Sequence, residues 1–582
     1  MAGRPSSGTL DIGVFVVPDV LFPNVKGTEQ ELIEVLATLS RDDTLFHAAR
    51  LNTLISGSGD YDLKGRQQAA LDWLCNLAQV GRINAFITGR GNAGPVTIFF
   101  RGQCLELMRW AAHYGKNLPC DGLSFNDPKR RENFLKALLI AGVLWGKRIY
   151  ADKLIGGTDI DDSRRRALGA FRKGVEESNL APHFGVVLGR GKAIFVDHLP
   201  FRYPAFADDF VRATGLPLVQ YRACVAALSV YATFNHKDGP LFLTQTVGNA
   251  TELRDVFPKY FDLEAQTPEQ LGRSLWDEFD KRGYRALRER PIMVAADGRA
   301  MILDPTFYAE KVSIGPLFHV LNAAKGRKAN EIFGMFGMAF EDYVAAILGR
   351  MYPSRPFLVD RVLYGLKGIN SLKPEFEIDA TLFDSRAAAL FEVKAAWLRE
   401  DAISDDAPET FLQDIRKKYG CSPGERDKGV AQLARSIGSI ARGTWLGPNR
   451  EFSNTTVLYP VLLVHDTRFD MPALGSFLDA EFKDILGEIP ASKVVAPLTV
   501  MTIHDLENLE SSVEGFSFMD FLAAYTRDCG DRVQSVHNYM ALSGYAKKIV
   551  PSRHLMESSI EIIGVLESEL FAKSAPESDE TA

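Results

Sequence analysis

One 22-residue segment, residues 376–397 (FEIDATLFDSRAAALFEVKAAW), constrains the fold of this chain more than any other stretch. Apolar and polar residues alternate over 376–382 and again over 391–395. Alternation with a period of two is typical of a β-strand with one buried face. The polar stretch 384–386 between the two runs predicts a turn. We therefore expect a β-hairpin here, with the two strands paired side by side.

This hairpin carries charged residues where half-buried strands are mostly apolar. Asp379 lies in the first run, and Glu392 and Lys394 lie in the second. A buried charge is costly unless it is paired or bound to an ion. Two neighbouring carboxylates suit a hard divalent cation, and a lysine beside them suits an anionic oxygen or a polarised water. The alternative interpretation is an ordinary amphipathic hairpin whose charged side chains lie in water.

A helix is predicted upstream of the hairpin. Residues 330–351 place apolar side chains at helical spacing, and the acidic residue Glu341 directly follows the apolar residue Phe340. This order is a glutamate on a helix, then an aspartate on one strand, then Glu-x-Lys on the next. It resembles the active site of the PD-(D/E)XK nuclease superfamily. The resemblance covers about residues 325–510 and is silent on the rest of the chain.

The resemblance implies a set of functional residues. Asp379, Glu392 and the backbone carbonyl of Val393 would bind Mg²⁺ or Mn²⁺. Glu341 would hold a second ion or a metal-bound water, and Lys394 would position or deprotonate the attacking water. Many members of the superfamily also carry a glutamine on the next core helix, and Gln432 occupies a comparable place; the tyrosine that often follows it is absent here.

A basic stretch follows the hairpin. Residues 410–450 hold eight Lys or Arg against three Asp or Glu, an excess of five positive charges in a chain of net charge −7. Such residues supply phosphate contacts in nucleic-acid complexes, although a solvated helix face would have the same composition. The candidates for binding nucleic acid are Lys417, Lys418, Lys428 and Arg435.

The motif Glu-x-Lys or Asp-x-Lys is common by itself. It recurs at residues 62–64, 127–129 and 481–483, but without a preceding strand that bears an acid.

Three functions remain open for the chain. The favoured one is a metal-dependent DNA endonuclease, such as a prokaryotic restriction or anti-phage defence effector. The others are an RNA-directed nuclease and a catalytically silent nucleic-acid-binding or scaffold subunit with a nuclease-like fold.

The predicted fold class is α/β, with a restriction-endonuclease-like α/β/α sandwich in the C-terminal part. Residues 1–320 are expected to be a mixed, mostly helical α+β region that senses or binds a target or partner. Residues 321–550 would form the nuclease domain, and 551–582 an acidic, partly disordered tail. A homo-oligomer or a partner protein bound through residues 1–320 would be compatible with this organisation.

The amino-acid composition indicates in which cellular compartment the protein is expected. No run approaches 18 consecutive apolar residues, so no membrane partner is expected. The six cysteines are scattered without a CxxC pair, which is typical of a reduced cytoplasm and excludes a cysteine-rich zinc module. The sequence thus predicts a cytoplasmic protein whose metal ion is held by oxygen ligands.

Several local predictions can be compared with a structure. A capping box is expected at residues 28–31, and buried strands are expected within 455–466 and 494–506. Hairpins or paired strands are expected over 83–100, 185–197 and 291–304. A long polar loop, of the kind that forms a mobile flap, is expected over 399–427.

Overall fold

The structure is a computed structural model, and it describes most of the chain. The described residues are 14–56, 63–89, 96–118, 127–150, 184–234, 241–243, 254–277, 283–295, 298–324, 326–353, 361–370, 373–404, 408–420, 428–445, 452–530, 534–545 and 548–571. Within them the protein is mixed α/β and mostly helical, with mixed sheets, which agrees with the α/β class predicted from the sequence.

Helices make up most of the N-terminal half. They are α1 (Pro18–Leu21), α2 (Glu29–Leu36), α3 (Arg41–Ser56), α4 (Leu63–Leu74), α5 (Leu77–Gly89), α6 (Arg101–Tyr114), α7 (Pro128–Tyr150), α8 (Phe184–Lys192), a π-helix (Ala193–His198), α9 (Leu199–Arg202), α10 (Phe206–Thr214), α11 (Leu218–Phe234), α12 (Phe257–Glu264), α13 (Pro268–Asp277), α14 (Arg285–Glu289), α15 (Pro305–Ser313) and α16 (Gly315–Ala323).

The C-terminal half alternates helices and strands. Its helices are α17 (Arg327–Met351), α18 (Glu400–Ser404), α19 (Pro408–Tyr419), α20 (Gly429–Ala441), a 3₁₀ turn (Thr467–Asp470), α21 (Leu474–Leu486), α22 (Ile503–Glu510), a second 3₁₀ turn (Ser511–Glu514), α23 (Phe518–Asp528), α24 (Val536–Leu542) and α25 (Arg553–Phe571).

Three sheets are described. Their strands are β1 (Val14–Phe15), β2 (Val96–Thr97), β3 (Leu241–Leu243), β4 (Ala265–Gln266), β5 (Ile292–Val294), β6 (Arg299–Ile302), β7 (Arg361–Asn370), β8 (Lys373–Asp384), β9 (Ala387–Lys394), β10 (Val457–Val464), β11 (Val494–Val495) and β12 (Thr499–Thr502). β1 pairs with β2, and β3–β6–β5–β4 form a small four-stranded sheet.

The largest sheet has six strands. β7, β8 and β9 form an antiparallel meander, and β10 continues the sheet parallel to β9. β11 and β12 both pair parallel to β10, β11 beside its first half and β12 beside its second. The crossover from β9 to β10 runs through α18, α19 and α20, as parallel neighbours require a long connection. The hairpin predicted over 376–397 is thereby confirmed.

Helices cover both faces of this sheet. On one face, Phe391 and Val393 of β9 pack in a buried cluster with Phe340 and Tyr343 of α17. On the other face, Leu390 packs in a separate cluster with residues of α20 and α21. The alternation in β9 explains this division, because successive side chains of a strand point to opposite faces. The sheet is therefore the middle layer of three.

The small sheet lies between two hydrophobic cores. Ile292 and Ile302 belong to the cluster that also contains α17, whereas Met293 and Met301 belong to the cluster of α2–α7. The first cluster runs from Val187 to Met540 and so includes side chains on both sides of residue 320. The domain boundary placed near 320 remains a prediction.

Some local predictions are confirmed. The capping box at Thr28 is present: its hydroxyl accepts from the backbone N–H of Glu31, whose carboxylate accepts from the N–H of Thr28. β10, β11 and β12 lie where strands were expected, and β5 and β6 form the hairpin predicted over 291–304.

Other local predictions are wrong. Residues 83–88 belong to α5, although β2 lies within the second strand expected over 83–100 and pairs with β1. Residues 185–197 form α8 and the π-helix, not a hairpin. Residues 400–404 and 408–419 are helical, where a loop was expected. The acidic, partly disordered tail over 551–582 stays a prediction: α25 occupies residues 553–571, and 572–582 lie outside the described residues.

Among the described residues, α17 is the single helix whose length and composition would allow it to cross a membrane. It instead lies against the central sheet, with Phe336, Phe340, Val344 and Ile347 buried. This packing is typical of a core helix of a soluble protein. The cytoplasmic location remains a prediction.

Candidate active site at the carboxyl end of a parallel strand

The hairpin brings its charged residues together. The last pair of the β8–β9 ladder joins Ala380 to Phe391, so Asp379 and Glu392 follow directly at the same end. The Asp379 carboxylate accepts a hydrogen bond from the backbone N–H of Val393 at 2.7 Å. This bond spans the two strands and fixes the carboxylate beside the carboxyl end of β9.

Glu392 and Lys394 form an ion pair at this end of β9. The ammonium nitrogen of Lys394 lies 2.6 Å from Oε1 of Glu392. The Glu392 side chain is 1% exposed, whereas that of Lys394 is 24% exposed. Lys394 therefore extends from the fully buried carboxylate of Glu392 to the surface of the site.

The helix glutamate, Glu341, interacts electrostatically with these charged groups. Glu341 is on the solvent-exposed side of α17, yet partial burial and the negative charge of Asp379 raise its pKa to about 7. Burial raises the pKa of Glu392 to about 8, although Lys394 opposes that shift. Burial also raises the pKa of Asp379. The structure thus brings Glu341, Asp379, Glu392 and Lys394 into one electrostatic cluster.

The lysine in this cluster is positively charged. Burial would lower the pKa of Lys394, but the Glu392 and Asp379 carboxylates outweigh it and raise the pKa above its usual value. Three carboxylates around one ammonium leave a formal deficit of two positive charges. Burial is the main cause of the raised carboxyl pKa values, and the neighbouring carboxylates add to it. A divalent cation would offset the excess of acidic groups, so this donor set fits Mg²⁺ or Mn²⁺.

Gln432 lies on α20, which packs beside β8. Its side-chain amide donates to the backbone carbonyl of Glu377 at 3.0 Å, two residues before Asp379. Glu377 itself is exposed and raises the pKa of Glu341 and Asp379. Glu377 was not among the site residues predicted from the sequence. The sequence could have indicated Glu377, because Glu377 and Asp379 are two residues apart on one strand and so share a face.

The predicted nucleic-acid contacts differ in their surroundings. Lys417, Lys428 and Arg435 are exposed. Lys418 instead donates to the Asp414 carboxylate and to the backbone carbonyl of Trp397, and burial lowers its pKa. Lys418 therefore ties α19 to the segment that follows β9, whereas the other three lie at the surface.

A buried histidine lies behind the site. The backbone N–H of His465 donates to the carbonyl of Lys394 at 3.1 Å. The imidazole lies 4.9 Å from the Trp397 ring and 5.0 Å from the Phe340 ring, centroid to centroid. Burial lowers the pKa of His465 to about 3, so the ring is neutral. It packs as part of an aromatic cluster that joins the end of β10 to α17.

Comparison with known proteins adds no family assignment: no family model, curated protein or solved structure matched the chain. Support for a function therefore comes from the geometry of these residues.

Proposed function

We propose that this protein is a metal-dependent nuclease that hydrolyses phosphodiester bonds, with DNA as its substrate. One observation carries the proposal. Glu341, Asp379, Glu392 and Lys394 come from a helix and two strands and meet at one end of the central sheet. Three acids and a lysine in a partly buried cluster are costly for stability and suited to metal-assisted hydrolysis.

The metal-binding residues would be Asp379 and Glu392, with Glu341 and the backbone of Val393 beside them. When bound, a divalent ion polarises the phosphate and lowers the pKa of a coordinated water. The protein holds Asp379 in place through the Val393 N–H at 2.7 Å. Gln432 holds the adjacent backbone of β8 through its bond to Glu377. These two contacts would preorganise the ligands before metal or substrate arrives.

Lys394 would act as a fixed positive charge. Its raised pKa means that the side chain is an ammonium at neutral pH, which favours stabilising charge on the phosphate over removing a proton from water. Glu341 would accept that proton, since a carboxyl group with a pKa of about 7 is balanced between both protonation states. Of the two roles considered for Lys394 from sequence, the structure favours positioning.

The fold proposal follows the same residues. A helix bearing the glutamate, the antiparallel meander β7–β8–β9, a covering helix α20 and the parallel strand β10 occur in this order. This order supports a restriction-endonuclease-like sandwich. The exposed Lys417, Lys428 and Arg435 support contact with a phosphate backbone. A role in prokaryotic defence, with residues 1–320 sensing a target or partner, rests on the resemblance alone.

The test is cleavage by the purified full-length chain. Plasmid DNA, single-stranded DNA and RNA would each be incubated with Mg²⁺, Mn²⁺ or EDTA. We expect metal-dependent cutting of DNA, its loss in Asp379→Asn, and a reduction of about 10²–10³-fold in Lys394→Met, similar to the removal of one preorganised charge donor. Cutting of RNA alone would replace the DNA assignment with the RNA alternative.

The chain offers a matched control. Glu481-Phe-Lys483 repeats the Glu-x-Lys pattern, but on helix α21, where Lys483 pairs with Asp479 at 2.7 Å. Lys483→Met should cut as fast as the wild type. Equal rates for Lys394→Met and the wild type would refute the assignment. If no substrate is cut, calorimetry with Mn²⁺ decides: binding lost in Asp379→Asn supports a gated enzyme, and no binding supports a scaffold.

A further inference from the structure

A second group of metal-ligand side chains lies beside the proposed active site. Asp470 ends the 3₁₀ turn after β10, Asp505 lies in the first turn of α22 after β12, and His537 lies in the first turn of α24. One ligand atom from each lies within 4.8 Å of the others. The three residues are far apart in sequence, and no spacing pattern indicated them.

Two of these side chains have buried polar atoms without hydrogen-bond partners. His537 is 8% exposed, and neither of its ring nitrogens has a hydrogen-bond partner among the described residues. Asp505 is fully buried, and its Oδ1 also lacks a hydrogen-bond partner there, although it forms an ion pair with Nδ1 of His537. Oδ2 of Asp505 caps α22 through Thr502. A buried polar atom without a hydrogen-bond partner costs free energy, and a bound ion would satisfy these atoms.

The distances suit a metal ion. Nδ1 of His537 lies 3.5 Å from Oδ1 of Asp505. Two ligands at about 2.0–2.1 Å from a tetrahedral ion lie roughly 3.3 Å apart, so this pair already has nearly the required separation. A ligand atom of Asp470 lies within 4.8 Å of one from each of the other two, so the three side chains would supply three ligands and leave the fourth position for water.

We propose that Asp470, Asp505 and His537 bind a divalent first-row transition ion of the Zn²⁺ class. The imidazole ligand favours such an ion over Mg²⁺ or Ca²⁺, which prefer oxygen ligands alone. The site is separate from Asp379 and Glu392, because β10 lies between β9 and β12 in the sheet. The ion would fasten α24 to the carboxyl ends of β10 and β12.

The test measures metal content and thermal unfolding, independently of nuclease activity. It uses the full-length Asp379→Asn protein, which removes the proposed catalytic metal site, with Mg²⁺ present throughout. We expect one Zn²⁺ per chain after dialysis and a rise in the melting temperature that EDTA reverses. His537→Gln and Asp470→Asn should each weaken Zn²⁺ binding by about 100-fold or more, since even second-layer partners of a metal ligand are worth 10–100-fold.

A matched control is His554→Gln on α25, because His554 is exposed and lies outside the group. It should bind Zn²⁺ like the parent protein. Two results would overturn the proposal. One is the absence of stoichiometric Zn²⁺ in a folded Asp379→Asn protein. The other is unchanged Zn²⁺ binding in folded His537→Gln and Asp470→Asn, with folding checked by circular dichroism in EDTA.

Discussion

A buried ion pair connects the N-terminal half of the chain to the helix that bears Glu341. The Arg190 guanidinium of α8 forms two hydrogen bonds with the Glu507 carboxylate of α22, one of them 2.6 Å long. Tyr343 of α17 donates to the same carboxylate at 2.7 Å. The Arg190 and Glu507 side chains are 3% and 0% exposed, so no solvent replaces either partner.

Arg190→Met should therefore be strongly destabilising. Removing one partner of a buried pair leaves the other charge uncompensated, which costs about 3–5 kcal/mol in the free energy of unfolding. Glu507→Gln should cost a similar amount, because it leaves the guanidinium buried and unpaired. The double variant leaves no unpaired charge, so we expect it to cost less than the sum of the single variants by about 3 kcal/mol.

The pH dependence gives a second signature. Burial raises the pKa of Glu507, and Arg190 opposes that shift. Without Arg190 the pKa of Glu507 rises further. At pH values above about 4.5, the folded state therefore carries more bound protons at Glu507 than the unfolded state does. Stability then falls as the pH rises. Arg190→Met should lose more stability at pH 8 than at pH 5.

Urea unfolding followed by circular dichroism measures these differences, provided that the slope with urea is the same in all variants. The control is Arg202→Met. Arg202 also forms two hydrogen bonds with a carboxylate, that of Asp342 on α17, but this pair is exposed. It should cost at most about 1 kcal/mol. Equal costs for Arg190→Met and Arg202→Met, or additive single variants, would refute the reasoning.

Three further predictions concern packing, a neutral histidine and a helix cap. Gly189→Ala should cost about 1–3 kcal/mol in unfolding experiments, because its Cβ would lie 2.3 Å from the backbone oxygen of Leu555. Gly146→Ala, where the new Cβ meets nothing within 4 Å, should instead stabilise the protein by about 0.5–1 kcal/mol. His465 has a folded pKa of about 3, so only the unfolded state takes up its proton near pH 6 and stability falls with acidification. His465→Gln should reduce the stability loss between pH 7 and pH 5 by about 2 kcal/mol, and an unchanged loss would contradict a neutral buried ring. Thr28→Ala removes the capping box and should cost about 1 kcal/mol, measured as a lower urea midpoint.

The sequence predicted the central hairpin well because its signal is local. The alternation over 376–395 and the two-residue turn at Ser385 and Arg386 specify pairing without reference to the rest of the chain. The strand β10 was also predictable, because a continuous apolar run between turns is typical of a strand buried on both faces. In both cases local pattern and tertiary packing agree.

The prediction over 185–197 failed because residues 185–191 are buried on all sides, so no exposed polar face shows the helical period. Val186, Val187 and Leu188 form a short apolar run, and such a run does not distinguish a helix from a strand. The expected hairpin had its turn at residues 190–192. Gly189 and Gly191 instead permit close packing of the helix, since a Cβ on either would collide with Leu555 or Val312.

Side-chain clusters that join distant segments could not be predicted from the sequence. Asp470, Asp505 and His537 meet only because β10 and β12 run parallel and α24 folds back against their ends.

The polar segment 408–419, by contrast, carries a local signal for its structure. Phe411, Ile415 and Tyr419 are spaced four residues apart, so the helical signal was present but was obscured by the charged residues around it.

The ion pair at Glu507 also bears on how the proposed site is held. Tyr343, which bonds to Glu507, lies two residues after Glu341 on α17. The same helix packs its other buried residues against β8 and β9, which carry Asp379, Glu392 and Lys394. The position of Glu341 relative to the strands therefore depends on α8 as well as on the central sheet. Any displacement of α8 would break a buried charge pair that α17 shares through Tyr343.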